Sequence, residues 1–488
     1  MRKYHYIKIN LPGGIVAAGD LHAWMEAAER CGVDQVQFGN RQHLFCRADS
    51  SSEKEFRAAL DQLGVVYEVN RNEYANILTS YVAEDVFQNS NWLSEGVYKD
   101  ILGLFDYRPR LKLNLVDANQ SFIPFFTGNV NFISSPVSNY WYLYVRFPKT
   151  TIIYCWKGLI YSDDIPRMTR LVEEAIIENK TLTDGDALYD MVHAKEQFIT
   201  QPVTAELSIP KFVLPYYEGF NRYGEKTWLG IYRRDECFPV SFLKDIASLC
   251  LKTKVGQLYV TPWKSLIVKG IAQKDRAAWD FVLNTYRINV RHAANELNFQ
   301  VEDHCKEGLE LKNYLVSHLS RDDMRTFGIC IGIKTRKKSE VFSSILVRRR
   351  HLFTIAGRGF FPAYDILCAN DFNPNERTGF VFSRNTPRLM LPEQLRRAIL
   401  LFYRHQVKRN EKLELRPREE PETKQQVEWV HQCTHCYTIY DPAVPADGSP
   451  GPVPFERLPA TYTCALCEAS KQDFQRIEQP LPAGRLTE

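Results

Sequence analysis

The sequence predicts an α+β protein with an internal duplication and a small, separate C-terminal module. Three observations carry that prediction. Helix-period and strand-period segments alternate through the first four hundred residues, a helix–strand pattern near the N-terminus returns 222 residues later, and two CxxC pairs lie beyond a highly charged stretch. The 488 residues are 44% apolar and 25% charged, ordinary for a globular chain of about three or more domains. Lys plus Arg is 62 against 58 for Asp plus Glu, a formal +4. That balance is too mild to mark a nucleic-acid or membrane surface. The longest apolar runs, such as 398–403, fall far short of the ~20 residues a spanning helix needs. No apolar stretch follows the charged start Met1-Arg2-Lys3, so a cytoplasmic location is expected.

Taken in order, Leu11-Pro12-Gly13-Gly14 signals a turn. From Asp20 onward Leu21, Trp24, Met25 and Ala28 recur at helical spacing, with Gly19 or Asp20 as the N-cap and Gly32 as the stop. Val36 to Cys46 reads as a strand broken at Gly39-Asn40-Arg41-Gln42. Glu53 to Leu63 reads as a second helix with Phe56, Leu60 and Leu63 on one face, and Asn76 to Ser80 follows. Sliding 15–46 by 222 lays it on 237–268 without a gap. Only four of 32 positions are identical (Leu21/Leu243, Val33/Val255, Gln35/Gln257, Leu44/Leu266), but the helical face returns as Phe242, Ile246, Leu249 and Cys250, and the strand as Leu258 to Leu266. Residues 103–235 and 300–407 read as larger α/β segments. Between Lys408 and Lys424, 11 of 17 residues are charged, a linker composition.

The 12 cysteines divide into two populations. Eight, at 31, 46, 155, 237, 250, 305, 330 and 368, are never closer than 13 residues. Without an export signal they read as buried or partly buried thiols, not as a disulfide framework. The last four form Cys433-Thr434-His435-Cys436 and, after 27 residues, Cys464-Ala465-Leu466-Cys467. Two such knuckles can deliver four thiolates to one tetrahedral ion, zinc or iron. Spacing alone does not name the metal.

The residues between the knuckles do more. Ile439-Tyr440-Asp441-Pro442 follows the first, Pro454-Phe455-Glu456-Arg457-Leu458-Pro459 and Tyr462-Thr463 precede the second, and Ala469-Ser470-Lys471-Gln472-Asp473-Phe474 follows it. Over 431–476 this resembles rubredoxin. The resemblance implies one iron held by Cys433, Cys436, Cys464 and Cys467, and one-electron transfer. Tyr440, Phe455, Tyr462 and Phe474 would supply most of the core of so small a module, with the metal as its staple, and would keep water off the sulfurs. Two departures stand out: Tyr437 and Glu468 occupy positions where the family has glycine, which implies either backbone strain or a relaxed knuckle. Zinc, in a zinc-ribbon interaction module, is the alternative.

Upstream, Leu11 to Gly14, Arg41-Gln42, Asn76 to Ser80 and Thr261-Pro262-Trp263 resemble the ferredoxin-like half-domain of nitrite and sulfite reductases, a family that carries this half twice. The resemblance implies half-domains at 1–102 and 236–299, reductase-type α/β domains at 103–235 and 300–407, a linker at 408–428 and a rubredoxin fold at 429–477. Those reductases use siroheme bridged to a [4Fe–4S] cluster held by C-x5-C and C-x3-C. Here Cys305 stands where the first pair would begin, but position 311 is Leu, and no such cluster is expected.

The family's anion-binding arginines are altered too. Lys8 and Asn10 stand for two of them and Ala75 for a third, while Arg146 and Lys149 match a basic pair only loosely. Arg41 matches a siroheme-contacting position. Lys8, Arg41 and Lys149 are thus the candidates for a remnant siroheme or anion pocket. The runs Lys334 to Lys338 and Arg348 to Arg350 could serve a macrocycle or an acidic redox partner, or be merely solvated. His22, His193 and His304 form no metal-ligand set. The expected function is a rubredoxin-type electron carrier on a nitrite/sulfite-reductase-like scaffold. It would donate to an oxidoreductase partner in nitrite or sulfite assimilation, with no nucleic-acid or membrane partner. The alternative is an enzyme, a modified siroheme oxidoreductase with an attached rubredoxin.

Overall fold

A computed structural model describes residues 4–87, 92–148, 150, 152–336, 341–355, 358–414, 427–440 and 453–480. The chain divides into a large unit, Met1–Gln406, and a small one, Val407–Glu488. Of the expected linker 408–428, residues 408–414 continue the helix Leu391–Glu414 and 427–428 open the strand Val427–Cys433, while 415–426, with Lys149, Lys337, Lys338, Asp441 and Pro442, lie outside the described residues.

The first half-domain places helices Ala18–Arg30 and Glu53–Gln62 against an antiparallel sheet of Gln35–Phe38, Leu44–Asp49, Tyr4–Ile9 and Tyr67–Val69. The first helix starts at Ala18, with Ala17 at the N-cap position and no side-chain cap, so Asp20 falls in its first turn. There its charge favours the helix N-terminus as a dipole partner instead of as a cap. Leu21, Met25 and Ala28 are buried, and Gly32, at φ +71°, ends the helix. The Gly32 N–H donates to the Glu29 carbonyl and the Val33 N–H to the Ala28 carbonyl, the double bond that closes such helices. In the second helix Phe56 and Leu60 are buried, whereas Leu63, just past its end, is 44% exposed.

The duplication is visible element by element. Ala18–Arg30 returns as Val240–Lys252, Gln35–Phe38 as Gln257–Val260 and Leu44–Asp49 as Leu266–Ile271, with every boundary displaced by the same number of residues. Even the left-handed positions repeat: Gly32 becomes Lys254 and Gln42 becomes Lys264, all with positive φ.

The two copies also exchange a strand. Ile15–Ala17 pairs with Gln257–Val260 of the second sheet, and Phe238–Pro239 pairs with Gln35–Phe38 of the first. One shared core results, in which Leu21, Met25 and Ala28 join Phe242, Leu243 and Ile246. The Leu11-Pro12-Gly13-Gly14 turn makes this possible. A Cβ on Gly14 would lie 2.4 Å from the Val260 carbonyl oxygen, and φ there is +75°, so any other residue would force the copies apart.

Two further sheets complete the large unit. One orders Thr200–Pro202, Gly158–Tyr161, Tyr140–Arg146, Val130–Ser134, Leu113–Val116 and Leu78–Thr79, with helices Ile165–Glu178 and Gly185–Lys195. The other orders Phe299–Val301, Ile331–Lys334, Ile345–Ile355, Arg358–Ala369 and Gly379–Thr386, with helices Lys306–Arg321 and Leu391–Glu414. Each mixes parallel and antiparallel pairs over its own apolar core. Of the eight upstream cysteines six are buried and Cys237 is half-buried. Cys155, on the short strand Ile153–Cys155, is exposed. Among the described residues no helix is long and apolar enough to cross a membrane.

Candidate metal centre

Strand Val427–Cys433 leads into the first knuckle and pairs antiparallel with Phe474–Pro480. In that knuckle the Cys433 N–H donates to the Thr438 carbonyl and the Tyr437 N–H to the Cys433 carbonyl. In the second, the Cys464 N–H donates to the Ala469 carbonyl and the Glu468 N–H to the Cys464 carbonyl. One turn is therefore used twice, and it places a left-handed residue four steps after its first cysteine. Both positions adopt that conformation, with φ of 60° at Tyr437 and 61° at Glu468. The loss of glycine is met by strain, about 1–2 kcal/mol per residue, and the knuckles keep their shape.

The four sulfurs all lie within 4.8 Å of one another. Cys433 Sγ is 3.6 Å from Cys467 Sγ, and Cys436 Sγ is 3.5 Å from Cys464 Sγ. Metal–sulfur bonds of about 2.3 Å in a tetrahedron set sulfurs roughly 3.8 Å apart, so the set fits one ion. Cys433 and Cys464 are buried, Cys436 is half-buried and Cys467 is exposed, giving the centre an inner and an outer edge. The Thr438 hydroxyl, 3.1 Å from Cys436 Sγ, and a Thr438 backbone hydrogen bond bring the Cys436 thiol down to about 6. That favours the thiolate, the form that binds metal. At Cys467 a backbone hydrogen bond from Ala469 also favours the thiolate, but the neighbouring sulfurs push its thiol up to about 12. Four like charges this close demand a cation.

Around the sulfurs the described residues of the small unit form one small apolar cluster. Tyr440, Phe455 and Leu458 are buried, with Val453, Tyr462 and Phe474 packed against them. Phe455 lies 5.0 Å from Phe474 and 5.3 Å from Tyr440, centroid to centroid. The Tyr440 hydroxyl donates to the Val453 carbonyl at 2.7 Å, and Lys471 Nζ donates to the Leu458 carbonyl at 2.6 Å. His431 stacks on Phe455 at 4.2 Å. Thr438 and His431 carry roles the sequence reading did not single out. A hydroxyl two residues after a ligating cysteine is the signal that could have found the first.

In the large unit, Lys8, Asn10 and Ala75 line one cavity of about 260 Å³ together with Glu68, Asn76 and Arg108. Lys8 is buried, forms an ion pair with Glu68, and donates to Asn72 Oδ1 at 2.6 Å and the Tyr74 carbonyl at 2.7 Å. Burial pulls its ammonium down in pKa, against the pull of Glu68. Arg41 donates to the carbonyls of Asn76 (2.9 Å) and Leu113 (2.7 Å) and to Asn114 Oδ1 (3.1 Å). Arg146 donates to the Gly128 and Thr127 carbonyls. Arg348 and Arg350 share the buried carboxylate of Asp365, Arg349 pairs with Glu307, and Arg336 donates to the carbonyls of Asp303 and His304. Among the described residues, Lys8, Arg41, Arg146, Arg336 and Arg348 to Arg350 are thus engaged by acceptors of this chain.

The loop after Arg41 meets the second copy in a buried ionic cluster. Lys264, at the position repeating Gln42, is 2.5 Å from Glu236 and 3.6 Å from Asp303, and Asp303 is 3.6 Å from His43. The Asn40 N–H also donates to Asp303, and His304 shares a hydrogen bond with Gln37. Close by, buried Lys312 donates to the Tyr232 hydroxyl; desolvation, partly offset by Glu236, lowers its ammonium to about 8. A lysine whose folded pKa lies below its unfolded value of about 10.4 penalises the folded state whenever it must be charged. Stability should therefore rise between about pH 8 and 10. We expect Lys312→Met to stabilise the large unit by about 1–3 kcal/mol at pH 7. In denaturation curves the difference should shrink above pH ~10.

Comparison with known proteins agrees with the division into two units. The rubredoxin family model matches residues 430–474. The solved structure of the Mycobacterium tuberculosis NirA protein is similar over 83% of this chain and 82% of that chain, with a TM-score of 0.62 and 14% identity. At that identity the likeness concerns the fold alone. No curated protein matches the sequence. The chain thus carries a C-terminal segment that matches rubredoxin, joined to a body whose fold is like that of NirA.

Proposed function

We propose that this protein is a cytoplasmic one-electron carrier. In this reading Cys433, Cys436, Cys464 and Cys467 hold one iron, and the NirA-like body is a scaffold that presents the centre to an oxidoreductase partner in nitrite or sulfite assimilation. The observation that carries it is the four-sulfur set within 4.8 Å inside the segment that matches rubredoxin. Iron there supplies exchange of one electron between its ferric and ferrous states. The chain's part is to hold four thiolates without leaving a site for substrate, and to exclude water from Cys433 and Cys464 through Tyr440, Phe455 and Phe474. The partner's pathway rests on likeness of fold and is an analogy.

The reductase alternative would need a tetrapyrrole with eight carboxylates in the body. Against it stand the engaged side chains of Lys8, Arg41 and Arg146 and the absence from the sequence of the paired cluster cysteines. The cavity beside Lys8, at about 260 Å³, is also below the roughly 300–1,000 Å³ of ordinary ligand pockets. An anaerobic reductive titration of protein made in cells that overproduce siroheme separates the readings. One electron per chain and no Soret band is the expected result. A Soret band with additional electrons would establish the alternative instead.

A further inference from the structure

The outer edge of the metal centre carries two residues that the fold does not want. At Tyr437 and Glu468 the turn demands a left-handed backbone, which glycine adopts freely and a side chain does not. Neither side chain repays the strain by packing. Tyr437 is 69% exposed and Glu468 is exposed as well. Both belong to the knuckles that carry Cys436 and the exposed Cys467, and Leu466, in the second knuckle, is 73% exposed. An aromatic ring, an isobutyl group and a carboxylate thus belong to the knuckles that form the solvent-facing edge of the sulfurs. The whole segment 427–480 is acidic, with seven Asp or Glu against three Lys or Arg.

We infer that Tyr437 and Glu468 are partner-recognition residues: they form the contact face for a redox protein that brings a cationic side chain and an apolar patch to the edge of its own centre. The inference rests on the electron-carrier reading and deepens it by stating which partner chemistry fits. An exposed aromatic ring is the kind of anchor that interface hot spots favour, and a carboxylate steers and orients a cationic face. In the transfer the ferrous centre loses one electron and the partner's oxidised centre gains it; no bond forms or breaks.

The test uses the full chain loaded with zinc, so that binding is measured without electron transfer, and a lysine-rich ferricytochrome c as the cationic probe. Tyr437→Gly and Glu468→Gly should each raise the denaturation midpoint of the small unit, because strain is relieved. Each should also weaken binding of the probe about three- to tenfold, and Glu468→Gly should flatten its dependence on salt. The iron-loaded variants, reduced with dithionite and freed of it, should pass electrons to the probe more slowly in the same proportion. Unchanged affinity in both variants would overturn the inference, as would a lowered midpoint, which would mean the side chains serve the fold. Either result leaves the electron-carrier reading intact, since that reading stands or falls on iron and its one-electron chemistry.

Discussion

Replacing Cys464 with serine is expected to abolish iron binding and unfold the small unit while leaving residues 1–406 folded. Cys464 is one of the two buried ligands, and among the described residues the unit's core beyond the metal is Tyr440, Phe455 and Leu458 with Val453, Tyr462 and Phe474 packed against them. So small a core does not hold a module of this size by itself, and structural tetrahedral metal sites contribute on the order of 10 kcal/mol of folding free energy. The measurement is calorimetry with parallel metal analysis. The wild-type chain should show two transitions, of which the variant and the chelator-treated protein retain the one belonging to the large unit. A variant that keeps both transitions without metal would show that the aromatic core suffices.

The second large effect belongs to the body. Lys264→Met should destabilise the large unit by about 3–5 kcal/mol, because it leaves buried Glu236 and half-buried Asp303 without the cation they share. The pH dependence has a defined sign. Burial alone would raise the Asp303 carboxyl, but the His43 ring, 3.6 Å away, and the Lys264 charge take it well below the usual carboxylate range. Its contribution is therefore present above about pH 4 and lost as the solution is acidified further. Burial also holds His304 down at about 4, so the folded state forgoes a proton that the unfolded chain binds near pH 6.5. Stability then falls as pH drops from about 6.5 to 4, in the same direction. The wild-type protein should lose stability through both ranges in urea titrations. In Lys264→Met the part contributed by Asp303 should diminish. An unchanged denaturation midpoint at pH 7 would mean the cluster is solvated and carries no structural weight.

How much of this was legible beforehand depends on how local each feature is. The duplication could be read from four identities, because the spacing of Leu21, Met25 and Ala28, and of Phe242, Ile246 and Leu249, is set by the helix itself. The exchange of Ile15–Ala17 and Phe238–Pro239 could not. Those strands are two or three residues long, and their pairing is decided by the other copy. The metal ligands were legible because four cysteines and their aromatic companions lie within 46 residues of sequence. The strain at Tyr437 and Glu468 followed from a departure at a position where only glycine is free.

The fates of Lys8 and Arg41 were not legible. Their partners, Glu68, Tyr74 and Leu113, are 60 to 72 residues away, and nothing in a basic residue's own surroundings says whether its charge faces a cofactor or an internal carbonyl. The ionic cluster was hidden for the same reason. Lys264 sits in a strand-turn reading where the repeat offers Gln42, while Glu236 comes from the start of the second copy and Asp303 from the segment that follows it. Sequence spacing reveals a site when its ligands are near neighbours in the chain; a site assembled across repeats shows itself only in three dimensions.

The most direct test of the central claim is a visible spectrum of the protein purified from iron-replete cells, with iron and zinc counted in the same sample. The electron-carrier account predicts red protein with one iron per chain, bleached by dithionite and restored by air. Colourless protein carrying one zinc would contradict it.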